Sequence, residues 1–143
     1  RLGPMVFGKP DELKTLEAIL HPAVGQSRTA FLAAHRQAKM ICFDVPLLFE
    51  TKGEGNVDVI LVVSAPAEVQ RARVLARPNM TPEKFAHILS LQTPDSEKRA
   101  RADFIIENHG PLSDTRDQLR EILANLNENH AKWLAQRGKE SHT

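Results

Sequence analysis

Gln70, Arg73 and Arg77, in the stretch QRARVLARPNM, recur at i, i+3 and i+7, so on a helix they share one face. Arg71 points elsewhere. Two guanidiniums at a helix end suit a polyphosphate, because each keeps its charge and offers a planar fork to phosphate oxygens. A solvated surface helix accounts for the same charges, and periodicity alone favours that plainer account. Lys98, Arg99 and Arg101 in SEKRARAD form a second basic cluster, read as mostly exposed and interspersed with acids.

Two further stretches carry polar or apolar groups where a strand ends. In FDVPLLFE, Asp44 stands where it could meet a metal-bound water or a substrate hydroxyl. Pro46 stiffens the exit, and Leu47, Leu48 and Phe49 form an apolar wall that a ligand could cover. Packing of those three under a neighbouring helix is the slightly better reading from spacing alone. In ADFIIENHG, Asn108, His109 and Gly110 make a polar turn whose backbone could read a purine edge, or an ordinary β–α turn. His21, just before Pro22, reads first as a helix N-terminal residue. The other histidines are scattered, and the sequence holds no metal-ligand cluster, serine elbow, G-x-G-x-x-G or C-x-x-C.

The elements that must position these groups follow from local signals. Lys9-Pro10-Asp11 starts a helix with proline in its first turn and acids at its positive end. His21-Pro22 is expected to break it, so that a second helix meets the first at a corner. MICFDV and VDVILVVS are apolar nearly throughout and read as strands covered on both faces, the parallel-sheet signature. Pro66 and Glu68 open a helix running to Arg77. Thr81-Pro82 and Thr93-Pro94 are two more start signals. DFIIE is a third strand, and Ser113 is expected to cap a last helix to about Asn127.

This order is an α/β pattern, which puts ligands at the carboxyl ends of its strands. A chain of 143 residues with net charge +1 and 41% hydrophobic residues fits one domain with its own core, and nothing in it points to nucleic acid. No apolar run nears the roughly 18 residues of a membrane span, and no signal-peptide pattern opens the chain. Cys42, alone in an apolar run, is expected to be a buried core residue of a cytoplasmic protein. Three strands make a thin sheet with a bare apolar edge, and the first residue is Arg1 rather than methionine. A missing upstream segment and self-association through the open edge are therefore expected.

Four blocks in this order, VFGKPDELKTLEAILHPAV, DVPLLFETKGEGNVDVILVV, QRARVLARPNMTPEKFAHILSLQ and EKRARADFIIENHG, closely resemble the bacterial dephospho-CoA kinase family. The resemblance implies an α/β P-loop kinase fold of three layers, like that of nucleoside monophosphate kinases. Residues 1–143 would form the carboxyl-terminal part of one kinase domain, with a helical lid at about 70–102. It implies transfer of the ATP γ-phosphoryl group, with Mg2+, to the 3′-hydroxyl of dephospho-CoA, the last step of coenzyme A synthesis.

In that likeness Arg73 and Arg77 act on the transferring phosphoryl, while Gln70, Asn108, His109 and Gly110 face ATP. His21 and the segment Pro46, Leu47, Leu48, Phe49 and Glu50 face dephospho-CoA, which would leave Leu47 to Phe49 exposed for a ligand. His87 stands where the family often has an arginine, and no phosphate contact is carried over to it. The family's G-x-x-x-x-G-K-[ST] and its base aspartate have no counterpart here. Without them this isolated chain is expected to be inactive or nearly so. The alternatives are a non-catalytic nucleotide- or CoA-binding module of the same descent and another small-molecule kinase of the same fold.

Overall fold

β1 (Leu61–Ser64) and β2 (Phe104–Glu107) pair in parallel, Leu61 opposite Phe104 and Ser64 opposite Glu107. In the computed structural model this sheet belongs to the second of two compact units, Val45–Thr143; the first is Arg1–Asp44. The structure describes residues 9–129 and 131–133. Parallel pairing requires a long crossover. Three helices supply it between the strands: α2 (Ala67–Leu75), α3 (Pro82–Ser90) and α4 (Asp95–Ala100). The fold is thus α/β with a small parallel sheet.

Register is fixed at both ends of the pair. The amides of Asp103 and Phe104 donate to the Ile60 carbonyl, and Asp103 Oδ2 accepts the Ile60 amide at 2.7 Å. Beyond Ser64, its carbonyl accepts the Asn108 amide at 2.7 Å. Ile60, Val62 and Ser64 point to one side and are buried, as a period of two dictates. Phe49 joins Ile60 and Val62 in the core, with Leu48, Val57 and Ala102 packed around them. The expectation of strands covered on both faces fails for β1, whose Leu61 and Val63 are 37% and 56% exposed.

Of the local start signals Thr81-Pro82 is obeyed, whereas at Thr93-Pro94 the cap is Pro94 and not Thr93. Thr81 caps α3, its hydroxyl oxygen accepting the Lys84 amide. The last helix, α5 (Leu112–Glu128), is capped at Pro111; Ser113 falls inside it and donates to Asp114 Oδ1. In the first unit α1 (Pro10–Ala34) begins at the proline, with Asp11 and Glu12 in its first turn. It does not break at His21-Pro22. Proline removes one amide donor, and the helix continues through the alanines and leucine around it.

Met40–Val45 takes no strand, because a strand needs a neighbour to bond to and none lies beside it among the described residues. Cys42 is consequently exposed, not buried. Phe43 instead sets its edge against Phe31 and lies under the Arg28 guanidinium, while Phe31 stacks on His35 at 4.1 Å. Among the described residues no helix is long and apolar enough to cross a membrane.

Candidate functional site

The carboxyl ends of β1 and β2 open onto a cleft of about 450 Å³, where an α/β sheet is expected to bind ligands. Ser64 at the end of β1 lines it with Ala65 and Pro66 just beyond, Glu107 at the end of β2 with His109 in the following turn, and Asp95 and Arg99 from α4. The buried Ser64 hydroxyl donates to Asp95, lying 2.9 and 2.8 Å from its two carboxylate oxygens. This bond ties the first turn of α4 to the end of β1. Arg99 Nη2 stands 2.6 Å from Glu107 Oε1. The hydrogen bond between them holds the Glu107 carboxyl below its usual range and raises the Arg99 guanidinium.

Helix α2 and the turn after β2 meet beside this cleft. Arg73 Nη1 donates to the Asn108 carbonyl at 2.6 Å, joining two stretches 35 residues apart. Gln70 does not reach out on that face; its Nε2 donates to the Ala65 carbonyl at 2.7 Å. Arg77 lies beyond α2, which stops at Leu75, since the residue before Pro78 is pushed out of helical geometry. Gln70 and Arg73 therefore both lie in α2 but turn to different partners, and Arg77 lies outside it. The Arg77 side chain is exposed and makes no hydrogen bond or ion pair among the described residues.

The segment 46–50 is organised differently from the expectation of a wall exposed at Leu47 to Phe49. Pro46 and Leu47 are exposed, Leu48 is half-buried, and Phe49 is 7% exposed in the core. Phe49 goes inward because the 47–53 turn folds it over Ile60 and Val62. Gly53 donates to the Leu48 carbonyl at 2.8 Å, and a Cβ there would meet Leu48 Cδ1 at 2.9 Å. Arg101 covers the outer face of the Phe49 ring at 4.6 Å and pairs with Glu54 and Glu97. His21 and Pro22 belong to the first unit, exposed in the middle of α1.

The cluster Lys98, Arg99 and Arg101 is not a solvated basic patch: each cation has a carboxylate partner. Lys98 Nζ lies 2.9 Å from Glu50 Oε1, with both side chains mostly buried. The same oxygen accepts the Thr93 amide at 2.8 Å. Burial raises the Glu50 carboxyl, but the bonds from Lys98 and from backbone amides outweigh it and leave the pKa lowered. A carboxyl lowered on folding stabilises the fold above its unfolded value and loses that contribution as pH falls through the folded one. Melting temperature is thus expected to drop more steeply below about pH 4.5 in the natural sequence than in Glu50→Gln. Parallel melting curves from neutral pH to about pH 3 check this; equal slopes would refute it.

Ser64, Asp95, Arg99, Glu107 and Gln118 escaped the sequence reading of the site. A signal existed for Ser64, a hydroxyl at an inward position of an apolar strand, where a buried polar group needs a partner. Gln118, from α5, accepts the Glu107 amide at 2.9 Å and donates to its carbonyl at 3.2 Å. Nothing local marks it.

The sequence model of the family described as dephospho-CoA kinase matches residues 1–114. A curated relative named dephospho-CoA kinase from Novosphingobium aromaticivorans is 55% identical over 132 residues, 92% of this chain and 65% of its own length. One of the same name from Mesorhizobium japonicum is 53% identical over 128 residues, 88% of this chain and 65% of its own. A crystal structure of a Thermus thermophilus protein superposes with a TM-score of 0.73 at 38% identity, covering 87% of this chain and 65% of that one. The chain thus spans just under two thirds of the length of the proteins it matches. With the model matching most of its length and half its residues shared with named relatives, the chain belongs to the dephospho-CoA kinase family.

Proposed function

We propose that the protein as a whole transfers the γ-phosphoryl group of ATP to the 3′-hydroxyl of dephospho-CoA, completing coenzyme A in the cytoplasm. The observation that carries this reading is the Arg73–Asn108 bond, which joins the phosphate-directed Arg73 of α2 to the turn assigned to the adenine. Arg73 and Asn108 to Gly110 then hold the nucleotide from two sides, with Gln70 bracing the start of α2. Arg77, exposed and uncommitted among the described residues, is the guanidinium available to charge developing on the phosphoryl group. Asp95 and Glu107 outnumber Arg99 in the cleft, so the cleft suits the uncharged hydrogen-bonding part of the nucleotide, which leaves the phosphates to Arg73 and Arg77.

On the acceptor side, Pro46 and Leu47 offer the apolar contact, with Leu48 half available. Phe49 and Glu50 act from beneath, one as core and one as an anchor. Magnesium would arrive with ATP. Among the described residues no group of three or more His, Cys, Asp or Glu could hold a metal ion. The 143 residues also lack the glycine-lysine phosphate cradle.

Nitrogen-15 NMR titrations of the chain test the reading. ATP is expected to shift amides at 70–77 and 108–110, and dephospho-CoA those at 46–50. Saturable shifts elsewhere, or none at either place, would defeat it.

A further inference from the structure

Glu50 is bound in an uneven way. Both of its donors, Lys98 Nζ and the Thr93 amide, converge on Oε1. Oε2 is buried with no hydrogen-bond partner. A buried carboxylate oxygen without a donor is uncommon, because desolvating it costs free energy that a bond would recover. The two donors also come from different parts of the chain. Lys98 sits in α4, which is fixed to β1 through the Ser64–Asp95 bond. Thr93 is the last link between α3 and α4, just ahead of Pro94, the cap of α4. At the opposite end of α3 the chain passes through Asn79 in the left-handed region at φ 61°. The segment 80–92 thus hangs between a tight turn at Asn79 and the Glu50 anchor at Thr93.

We propose that Glu50 is a two-position latch: with Lys98 holding Oε1, the Thr93 amide moves between Oε1 and Oε2 as segment 80–92 swings, coupling that segment to Pro46–Phe49. This rests on the reading of 70–102 as a lid and of 46–50 as the acceptor side. Glu50 is then a positioning residue, acting through the backbone on either side of it. An acceptor seated on Pro46 and Leu47 steadies the turn that carries Glu50, and the carboxylate passes this to the hinge of the segment above the nucleotide. A carboxylate suits the task because its two oxygens are equivalent acceptors, whereas an amide offers one.

Hydrogen–deuterium exchange of the chain with and without saturating dephospho-CoA reads this directly. In the natural sequence the ligand is expected to slow exchange of amides 81–91 about fivefold or more, the lower end of ordinary coupling between sites. In Glu50→Gln, at a dephospho-CoA concentration that saturates the variant, the ratio of exchange rates of amides 81–91 with and without ligand is expected to fall to about one, whatever the change in exchange across the whole unit. A role in stability alone would speed exchange across the unit and leave the effect of ligand intact. Lys98→Met serves as a second variant if Glu50→Gln does not fold: it frees the carboxylate from its fixed partner and should weaken the slowing. Full slowing in a folded variant overturns the latch, as does binding to the natural sequence with no slowing, and both leave the kinase reading standing. Absence of dephospho-CoA binding to the natural sequence overturns the reading and the latch together.

Discussion

Phe49→Ala is expected to destabilise the Val45–Thr143 unit by about 3–5 kcal/mol, the usual cost of removing a buried phenylalanine. The cost is large here because the core is small: Phe49, Ile60 and Val62 are its buried centre. Loss of the ring also uncovers the Arg101 guanidinium, whose contact with it adds about 0.5–1 kcal/mol at a partly exposed site. Small domains have total stabilities of only about 5–15 kcal/mol, so the variant should melt at least roughly 10 °C lower or fail to fold. Chemical denaturation of the two proteins measures the difference. Unchanged stability with weakened dephospho-CoA binding would restore Phe49 to the ligand-facing wall.

The largest expected effect on turnover falls on the two arginines, and the structure separates them. Arg77→Ala should lower kcat of the active kinase by about 10²–10³-fold with little change in stability, as for removal of one donor to a developing charge. Its side chain holds no other element among the described residues. Arg73→Ala should lower kcat and raise KM for ATP together, because its guanidinium also fixes the Asn108 carbonyl. Arg73→Lys keeps the charge without the planar fork and should rescue kcat only in part. Steady-state kinetics decide the matter. Equal, purely KM-type effects at both positions would remove Arg77 from the phosphoryl-transfer step.

What the sequence disclosed was mostly local. Thr81 followed by Pro82 marks a helix start because cap and proline act on their own turn, and α3 begins there. The apolar strands at 61–64 and 104–107 were legible for the same reason, and a parallel sheet was expected from their apolar composition, although β1 is covered on one face. The misses came from partners far along the chain. Whether Met40–Val45 is a strand depends on a neighbour, and whether Phe49 faces in or out depends on the turn closing over Ile60. Pro22 shows a local rule overruled by the helix formers around it. In the candidate site, helical spacing placed Arg73 within α2, whereas Arg77 lies past its end, where the proline at 78 stops the helix. The Ser64–Asp95 and Arg99–Glu107 pairs were hidden because each joins elements that only the fold brings together.

The side-chain amide of Gln118 imitates a strand. In a parallel ladder alternate residues bond to opposite neighbours, and Phe104 and Asn108 donate to β1, so Ile105 and Glu107 face outward. Gln118 occupies both backbone groups of Glu107 and so stoppers that edge at its exit. A foreign strand approaching β2 would find Ile105 as its foothold and then a helix in its way. On this side of β2 a helix side chain thus takes the place that a further strand would hold.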